Sequence, residues 1–277
     1  MEDVILIKDL PPQLTSSIFE TIAFYTIAFL RIDEADVSGV PSLLGSGVLV
    51  SLGSTRASLT ADHVARALPT SGRITLFLGR TTQPHSVEIA ALIPVTVGRG
   101  RVESEGPDLA MVLLAPHIAG AIAAKKNFYN LDVRRDRLLT DPPELRDGAW
   151  FAQGFLEERT TVLPDPLEEG LTKYFYNFTG VGGPESIDVV GAFDYFEYPV
   201  SFEARPNSPV SWGGMSGGGL WQVPLKREDG KLVHLPPFLS GVMFYQHATT
   251  PSTCGIKAHA RQSIYGEAYR VVQNREP

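Results

Sequence analysis

Short runs of β-branched and aromatic residues recur along the whole chain, separated by Gly, Pro, Asp and Asn. Branched and aromatic side chains pack well on a pleated surface, whereas the separating residues favour turns. Many short strands at fairly regular spacing indicate an antiparallel β sandwich or barrel. The 277 residues suit one large domain or two compact ones. The sequence therefore predicts an all-β fold.

The expected elements follow from these runs and from their spacing. Helices are expected at 13–20, 62–68 and 117–126, and a terminal helix over 263–273. A polar connector at 127–147 is expected to separate an N-terminal half, 1–126, from a C-terminal half, 148–277. Strands are expected at 21–32, 45–52, 57–60, 73–79, 86–95, 108–116, 149–156, 172–180, 186–196, 219–223 and 234–246.

Charge and cysteine content restrict the partners and the compartment. With 24 Lys and Arg against 31 Asp and Glu, the net charge of −7 would repel a phosphate backbone, so we expect no nucleic-acid partner. The single cysteine, Cys254, allows no intrachain disulfide, which fits a reducing compartment. The other histidines, leaving His63 aside, show no spacing typical of metal ligands, and no cofactor is implied.

The N-terminal region shows neither a secretory signal nor a membrane span. The segment MEDVILIKDLPPQL has no basic region followed by an apolar run. The most apolar early segment, 21–30, is about half as long as a membrane span. We therefore expect a cytoplasmic protein that does not enter a membrane.

Five glycines surround one serine, Ser216, in the stretch SWGGMSGGGLW. Glycine is costly to order, so such a cluster indicates unusual backbone angles or a close approach. A tight turn between strands would explain this stretch alone. It would equally suit a nucleophile, because acyl transfer needs a hydroxyl beside backbone N–H groups that bind the oxyanion. The donors would then be the N–H groups of Gly214 and Ser216.

Two further motifs precede the serine. His63 lies in LTADHV, where a strand meets a short helix, and Asp108 lies in GPDLA, just before an apolar strand. The order is therefore His, Asp, Ser. The segments TADHV, PDLAMVLL and GMSGGGL, together with GSGVLVS and SGVMFYQ, resemble the motifs of the chymotrypsin-like serine peptidases. The resemblance extends over roughly 20–275 and is closest to the disulfide-free bacterial stress-protease branch.

The resemblance implies two antiparallel six-stranded Greek-key β-barrels and a C-terminal helix. The barrel of 1–126 would carry His63 and Asp108, and that of 148–277 would carry Ser216, with the three in the cleft between them. His63 would accept the proton of Ser216, and Asp108 would orient and stabilise the imidazole. The implied function is a serine endopeptidase that cleaves a protein or peptide through an acyl-enzyme, without metal or cofactor. A regulatory partner is left open.

The substrate site is also implied by the resemblance. Val210, six residues before the serine, would form the base of the specificity pocket and favours a small or apolar side chain before the scissile bond. Phe244, Tyr245 and Gln246 would line the strand that pairs with substrate. Met215 stands where digestive relatives carry an aspartate that pairs with a newly cut N-terminus, so we expect activity without zymogen cleavage.

Two other functions fit parts of the sequence. GMSGG also satisfies the nucleophile elbow of α/β-hydrolase esterases. That fold orders its triad Ser, acid, His, whereas the only aspartate after Ser216 is Asp229, and GGGLWQVPL is too rich in glycine for the helix required there. The second alternative is a catalytically silent relative that binds a partner through its barrels.

Overall fold

The computed structural model describes residues 10–32, 41–79, 85–102, 104–164, 171–201, 209–247, 250 and 252–275. Residues 1–9, which include most of the basis for the prediction that there is no secretory signal, lie outside these ranges. No helix in the described ranges is long and apolar enough to cross a bilayer. The described chain is predominantly β and ends in a helix, as the sequence predicts.

The N-terminal half forms one sheet of eight described strands. The strands are β1 (Thr26–Arg31), β2 (Ser42–Leu52), β3 (Thr55–Thr60), β4 (Arg73–Phe77), β5 (His85–Glu88), β6 (Leu92–Arg99), β7 (Asp108–Leu114) and β8 (Tyr129–Asn130). Their spatial order is β5-β4-β1-β2-β3-β7-β6, and β8 pairs with β2 in parallel. The other pairs are antiparallel. This order places the end of β3 beside the start of β7.

The C-terminal half forms a second antiparallel sheet, of seven described strands. Its strands are β9 (Ala149–Phe155), β12 (Asn177–Val181), β13 (Ser186–Val190), β14 (Phe193–Ser201), β15 (Gly219–Val223), β18 (Phe238–Gln246) and β19 (Thr253–His259). The order is β12-β9-β15-β18-β19-β14-β13. Two small hairpins accompany it, β10 (Thr161–Pro164) with β11 (Leu171–Tyr174) and β16 (Leu225–Glu228) with β17 (Lys231–His234). The two sheets thus contain eight and seven strands, against the six per barrel that the resemblance implies.

Five α-helices accompany the sheets in the described ranges. They are α1 (Pro12–Ala23), α2 (Asp62–Arg66), α3 (Pro116–Ala123), α4 (Asp132–Thr140) and α5 (Tyr269–Gln273), the last preceded by a π-helical stretch, Gln262–Ala268. The segment 127–147, expected to be a polar connector, contains β8 and α4. Leu138 of α4 is 1% exposed, so this segment contributes to the core as well as joining the halves.

One hydrophobic cluster contains residues of both halves. Val48 and Leu109 of the first sheet belong to the same buried cluster as Trp221 and Ile264 of the second half. Tyr25 stacks on Trp221 with ring centroids 5.4 Å apart. Because apolar burial is the main favourable contribution to folding, this shared cluster fixes how the two sheets face each other.

The structure corrects several expected boundaries. The expected strand 86–95 is divided between β5 and β6 by a 3₁₀ turn, Ile89–Ala91, and the two strands pair with different neighbours. Of the expected strand 234–246 only 238–246 forms β18, because His234 ends β17. Residues 21–23 were expected to be strand, but α1 continues to Ala23 because Ile18 and Ile22, four residues apart, bury the same helix face. The expected strand 186–196 is a hairpin of β13 and β14, which turns at Gly191 with φ of +63°. The expected strand 172–180 is divided between β11 and β12, which pair with different neighbours.

Candidate active site

His63 and Asp108 are joined by two hydrogen bonds. Asp108 begins β7, and His63 follows β3 in the first turn of α2, so the pairing of β3 with β7 brings them together. The backbone N–H of His63 donates to Asp108 Oδ1 at 2.9 Å, and Nδ1 lies 2.5 Å from Oδ2. Since a carboxylate only accepts, Nδ1 carries the proton, and Nε2 is left as the basic nitrogen.

The pair is partly shielded from solvent, with 27% of the His63 side chain and 5% of the Asp108 side chain exposed. Beside it, Asp62 is buried and accepts from Arg99 Nε at 2.6 Å, Thr96 Oγ1 at 2.7 Å and Arg66 Nε at 3.0 Å. Burial alone would raise the pKa of Asp62, but these hydrogen bonds outweigh it and lower that pKa. Asp62 therefore stays ionised and occupies both arginines.

The Ser216 loop is held by backbone hydrogen bonds. Gly217 N–H donates to Met243 O at 2.7 Å, and Ser46 N–H donates to Ser216 O at 2.8 Å. The Ser46 hydroxyl donates to Gly214 O at 2.7 Å. Gly214 and Gly217 have φ of +89° and +86°, a region that residues with a Cβ rarely adopt. The loop is therefore fixed between β2 and β18 in a conformation that requires glycine at these two positions.

Close packing against the residues on either side of His63 also requires glycine at positions 45 and 217. A Cβ at position 217 would lie 2.1 Å from Ser46 O and 2.2 Å from Thr60 Oγ1, and Thr60 is the last residue of β3. A Cβ at position 45 would lie 2.5 Å from Val64 Cγ2 and 3.0 Å from Ser216 O. Gly217 of the serine loop thus packs against Thr60, and Gly45 of β2 lies between Val64 and Ser216. The loop is therefore held close to residues on both sides of His63.

The Ser216 hydroxyl points to a backbone carbonyl in this structure. Its Oγ donates to Phe244 O at a long 3.4 Å, and no hydrogen bond among the described residues joins it to His63. The N–H groups of Gly214 and Ser216 donate to no acceptor in the described ranges. The described residues therefore bring together an imidazole oriented by Asp108 and two backbone N–H groups without an acceptor. They lie near a serine whose hydroxyl makes only a long, weak hydrogen bond to Phe244 O.

A cavity of about 170 Å³ opens beside Ser216. Phe244, Tyr245 and Gln246, predicted to line a substrate strand, all border it. Val210 does not border it, and its side chain is 59% exposed. Four further residues line the cavity, and they share an apolar side chain in the serine loop or on the neighbouring strands: Trp212, Met215, Met243 and Ile256. Of these four, the sequence analysis gives a role only to Met215, and that role is not in substrate binding.

Gln246 connects this cavity to the segment before the serine. Its Nε2 donates to Val210 O at 2.9 Å, and its Oε1 accepts from Trp212 N–H at 2.9 Å. Trp212 is 5% exposed and packs edge-on against Phe178. The side-chain amide of Gln246 therefore makes the hydrogen bonds to the backbone of residues 210 and 212 that a neighbouring strand would otherwise supply. It thereby positions one wall of the cavity.

His259 is one of several histidines scattered along the sequence, yet it contacts Asp108. It is fully buried at the end of β19, and its Nε2 accepts the backbone N–H of Asp108 at 3.0 Å. Burial, with a smaller contribution from Lys257, lowers the pKa of His259 to about 3 against the opposing effect of Asp108. No local sequence pattern signals this contact, because it joins residues 151 positions apart.

The described residues contain no group of three or more His, Cys, Asp or Glu side chains that could hold a metal ion. Cys254 is buried, and burial raises the pKa of its thiol against a hydrogen bond with Gln246.

Comparison with known proteins adds little. No protein-family model matches the chain, and no curated protein matches it. Among solved structures, it is similar to a chain from work on aromatic interactions in the coupled folding and binding of the intrinsically disordered Sesbania mosaic virus VPg protein. The identity is 10%, the match covers 87% of this chain and 89% of the other, and the TM-score is 0.44. A likeness at this level carries no argument about function.

Proposed function

We propose that the chain is a serine endopeptidase of the chymotrypsin-like type, with His63 as base, Asp108 as its acid partner and Ser216 as nucleophile. The observation that carries the proposal is the double hydrogen bond from His63 to Asp108, at a strand junction against which the glycine-flanked serine loop packs. An oriented imidazole, a hydroxyl and backbone donors are the parts that acyl transfer requires.

The proposed fold consists of two Greek-key β-barrels, one curled from each sheet. The predominantly antiparallel pairing within each sheet and the hydrophobic cluster shared between the halves support this. His63 and Asp108 come from the first barrel and Ser216 from the second, so the cleft between the barrels would bind the substrate.

In the proposed reaction, the Ser216 hydroxyl leaves Phe244 O by rotation about χ1 and gives its proton to His63 Nε2. The oxygen attacks the scissile carbonyl, and the N–H groups of Gly214 and Ser216 bind the resulting oxyanion. Asp108 stabilises the imidazolium. His63 then protonates the leaving amine, and water hydrolyses the acyl-enzyme by the same route in reverse.

The cavity beside Ser216 supports a small or apolar side chain before the scissile bond. Its walls include Trp212, Met215, Met243 and Ile256, and none of the described residues that line it is charged. An Arg or Lys side chain would lose hydration there without a partner. Val210 contributes to this site through its carbonyl, which Gln246 holds, and Tyr245 and Phe244 supply the strand beside which an extended peptide would lie.

We also propose that the intact chain is active in the cytoplasm, without a cofactor. Met215 is 1% exposed, and a Cβ at position 154 would lie 2.9 Å from its sulfur, so an apolar contact occupies the place of an ion pair to a cut N-terminus. The single buried cysteine fits a reducing compartment.

The test is cleavage of a peptide library by the purified full chain, with product masses read directly. We expect cleavage after small or apolar residues, and its loss in Ser216→Ala, His63→Ala and Asp108→Asn. Ser17→Ala and His117→Ala are matched controls, because both residues lie on helices that contribute no residue to the candidate site. Equal cleavage by the Ser216→Ala protein would assign the activity to a contaminant and reject the proposal.

A catalytically silent peptide-binding module is the second candidate. It is favoured by the hydrogen bond of the Ser216 hydroxyl to Phe244 O, which holds the hydroxyl away from the base. This candidate predicts that the wild-type chain binds library peptides in the same cavity and leaves them uncut, and that Ser216→Ala does not change the binding.

A further inference from the structure

Asp108 is held by two histidines that come from different halves of the chain, His63 on α2 and His259 at the end of β19. Its carboxylate accepts from His63 of the first half, and its backbone N–H donates to His259 Nε2 of the second half at 3.0 Å. Since Nε2 accepts this hydrogen bond, His259 is neutral and carries its proton on Nδ1. That nitrogen is buried and has no hydrogen-bond partner among the described residues.

An unpaired buried donor is unfavourable, typically by about 1–3 kcal/mol, so a histidine here is not explained by packing alone. An apolar residue of similar size would fill the space without the orphaned N–H. The hydrogen bond to Asp108 is the one polar contact that the ring makes in the described structure.

The same ring also contacts the strand that engages the nucleophile. The ring of Phe244 lies 4.6 Å from the ring of His259, tilted by 32°, and Tyr195 lies 5.2 Å away on β14. The carbonyl of Phe244 accepts the Ser216 hydroxyl, and the neighbouring carbonyl of Met243 accepts Gly217 N–H. His259 thus contacts the acid through its nitrogen and the serine-binding strand through its ring face.

We propose that His259 is a positioning residue that aligns the acid of one sheet with the nucleophile of the other. Its Nε2 fixes the backbone of Asp108, and therefore the carboxylate that orients His63. Its ring packs against Phe244 and so fixes the part of β18 whose carbonyl groups accept hydrogen bonds from the Ser216 loop. Relevance to catalysis rests on the proposed endopeptidase function, whereas the effect on the geometry of His63 does not.

The test compares two substitutions that differ in one property. Gln in His259→Gln reaches about as far as imidazole Nε2 and keeps an acceptor for Asp108 N–H, whereas Leu in His259→Leu fills space without one. The readout is the low-field proton NMR signal of His63 Nδ1–H, identified by its absence in His63→Ala and its shift in Asp108→Asn.

We expect His259→Leu to shift or broaden this signal and to lower kcat by up to about 100-fold with little change in KM, because small displacements of catalytic groups reduce the rate steeply. His259→Gln should restore both. An unchanged signal in His259→Leu would overturn the proposal. If that variant does not fold, His259→Asn, too short to reach Asp108, replaces it, with the same expectation and the same contrary result.

The NMR signal of His63 also tests the positioning role of His259 independently of the proposed endopeptidase function. It requires no substrate and no turnover. If the wild-type chain cleaves nothing, the endopeptidase proposal fails, and the contrast between His259→Gln and His259→Leu still decides whether His259 positions Asp108 and His63.

Discussion

The two sides of the proposed catalytic centre are held in different ways. The acid–base side depends on side-chain hydrogen bonds, which His63 donates to Asp108 and which Arg66 and Arg99 donate to Asp62. The serine side depends on backbone hydrogen bonds and on glycine conformations at Gly214 and Gly217. The imidazole is therefore already oriented, whereas the nucleophile has a fixed backbone and a hydroxyl with a weak, long hydrogen bond.

This difference indicates where each kind of substitution acts. On the acid–base side, a side chain can be exchanged while the strands stay paired, so a substitution there can abolish catalysis and leave the chain folded. On the serine side, the backbone itself is close-packed, so an added Cβ disturbs folding and chemistry together.

The largest expected effect is loss of the reacting groups. Ser216→Ala or His63→Ala should each lower kcat by about 10⁴- to 10⁶-fold, and the double variant should be little worse, because the two act as a unit. The measurement is turnover of the best library peptide. Independent effects that multiply in the double variant would contradict a shared proton-transfer step.

Acid stability tests the buried side of the centre. The pKa of His259 is lowered to about 3 by burial, so the unfolded chain binds one more proton than the native chain between about pH 6.5 and pH 3. Stability should therefore fall as pH falls through this window, by roughly 5 kcal/mol in all. Urea unfolding at several pH values should show this loss, and His259→Gln should reduce the slope. If the stability of both proteins falls equally steeply as pH falls, His259 accepts a proton in the native state and its pKa is not lowered.

Glycine substitutions sharpen the comparison on the serine side. Gly217→Ala combines positive φ with a Cβ 2.1 Å from Ser46 O, and should reduce stability by about 2–5 kcal/mol and abolish most turnover. Gly213→Ala is the matched control, since the nearest atom to its Cβ is Ser211 Oγ at 3.3 Å. Similar unfolding midpoints for the two variants would show that the loop can relax.

The smallest expected effect concerns the cavity wall. Gln246→Leu removes two hydrogen bonds to the 210–212 segment, each worth about 1 kcal/mol. We expect a several-fold rise in KM with a smaller change in kcat, because the substitution affects peptide binding more than proton transfer. Gln273→Leu, at an exposed position, is the control. A fall in kcat at unchanged KM would place Gln246 in the chemical step.

Much of the fold follows from local sequence patterns. The strand at 219–223 and the extent of β7 follow from runs of apolar residues bounded by Gly, Asp and Pro. The hairpin turn at Gly191 was missed, because one glycine inside a β-branched run predicts a turn no better than a bulge. The end of α1 was missed because Ile22 suits either a strand or a helix until its partner Ile18 is considered.

The sequence predicted only those residues of the candidate site that lie in recognisable local motifs. His63, Asp108 and Ser216 lie in local motifs, and so did the residues of the predicted substrate strand. The contacts of His259 and Gln246 were not predictable, because each joins segments distant in the sequence: His259 meets Asp108 151 positions away, and Gln246 meets Trp212 34 positions away. Such contacts depend on how the sheets face each other.

The central claim is that the imidazole of His63 activates Ser216, and covalent labelling by a fluorophosphonate tests it most directly. The account predicts one adduct per chain, mapped by peptide mass to Ser216, at a rate that falls steeply in His63→Ala and stays unchanged in His117→Ala. An intact, folded chain that gains no adduct, or one that is labelled equally fast without the His63 imidazole, would contradict it.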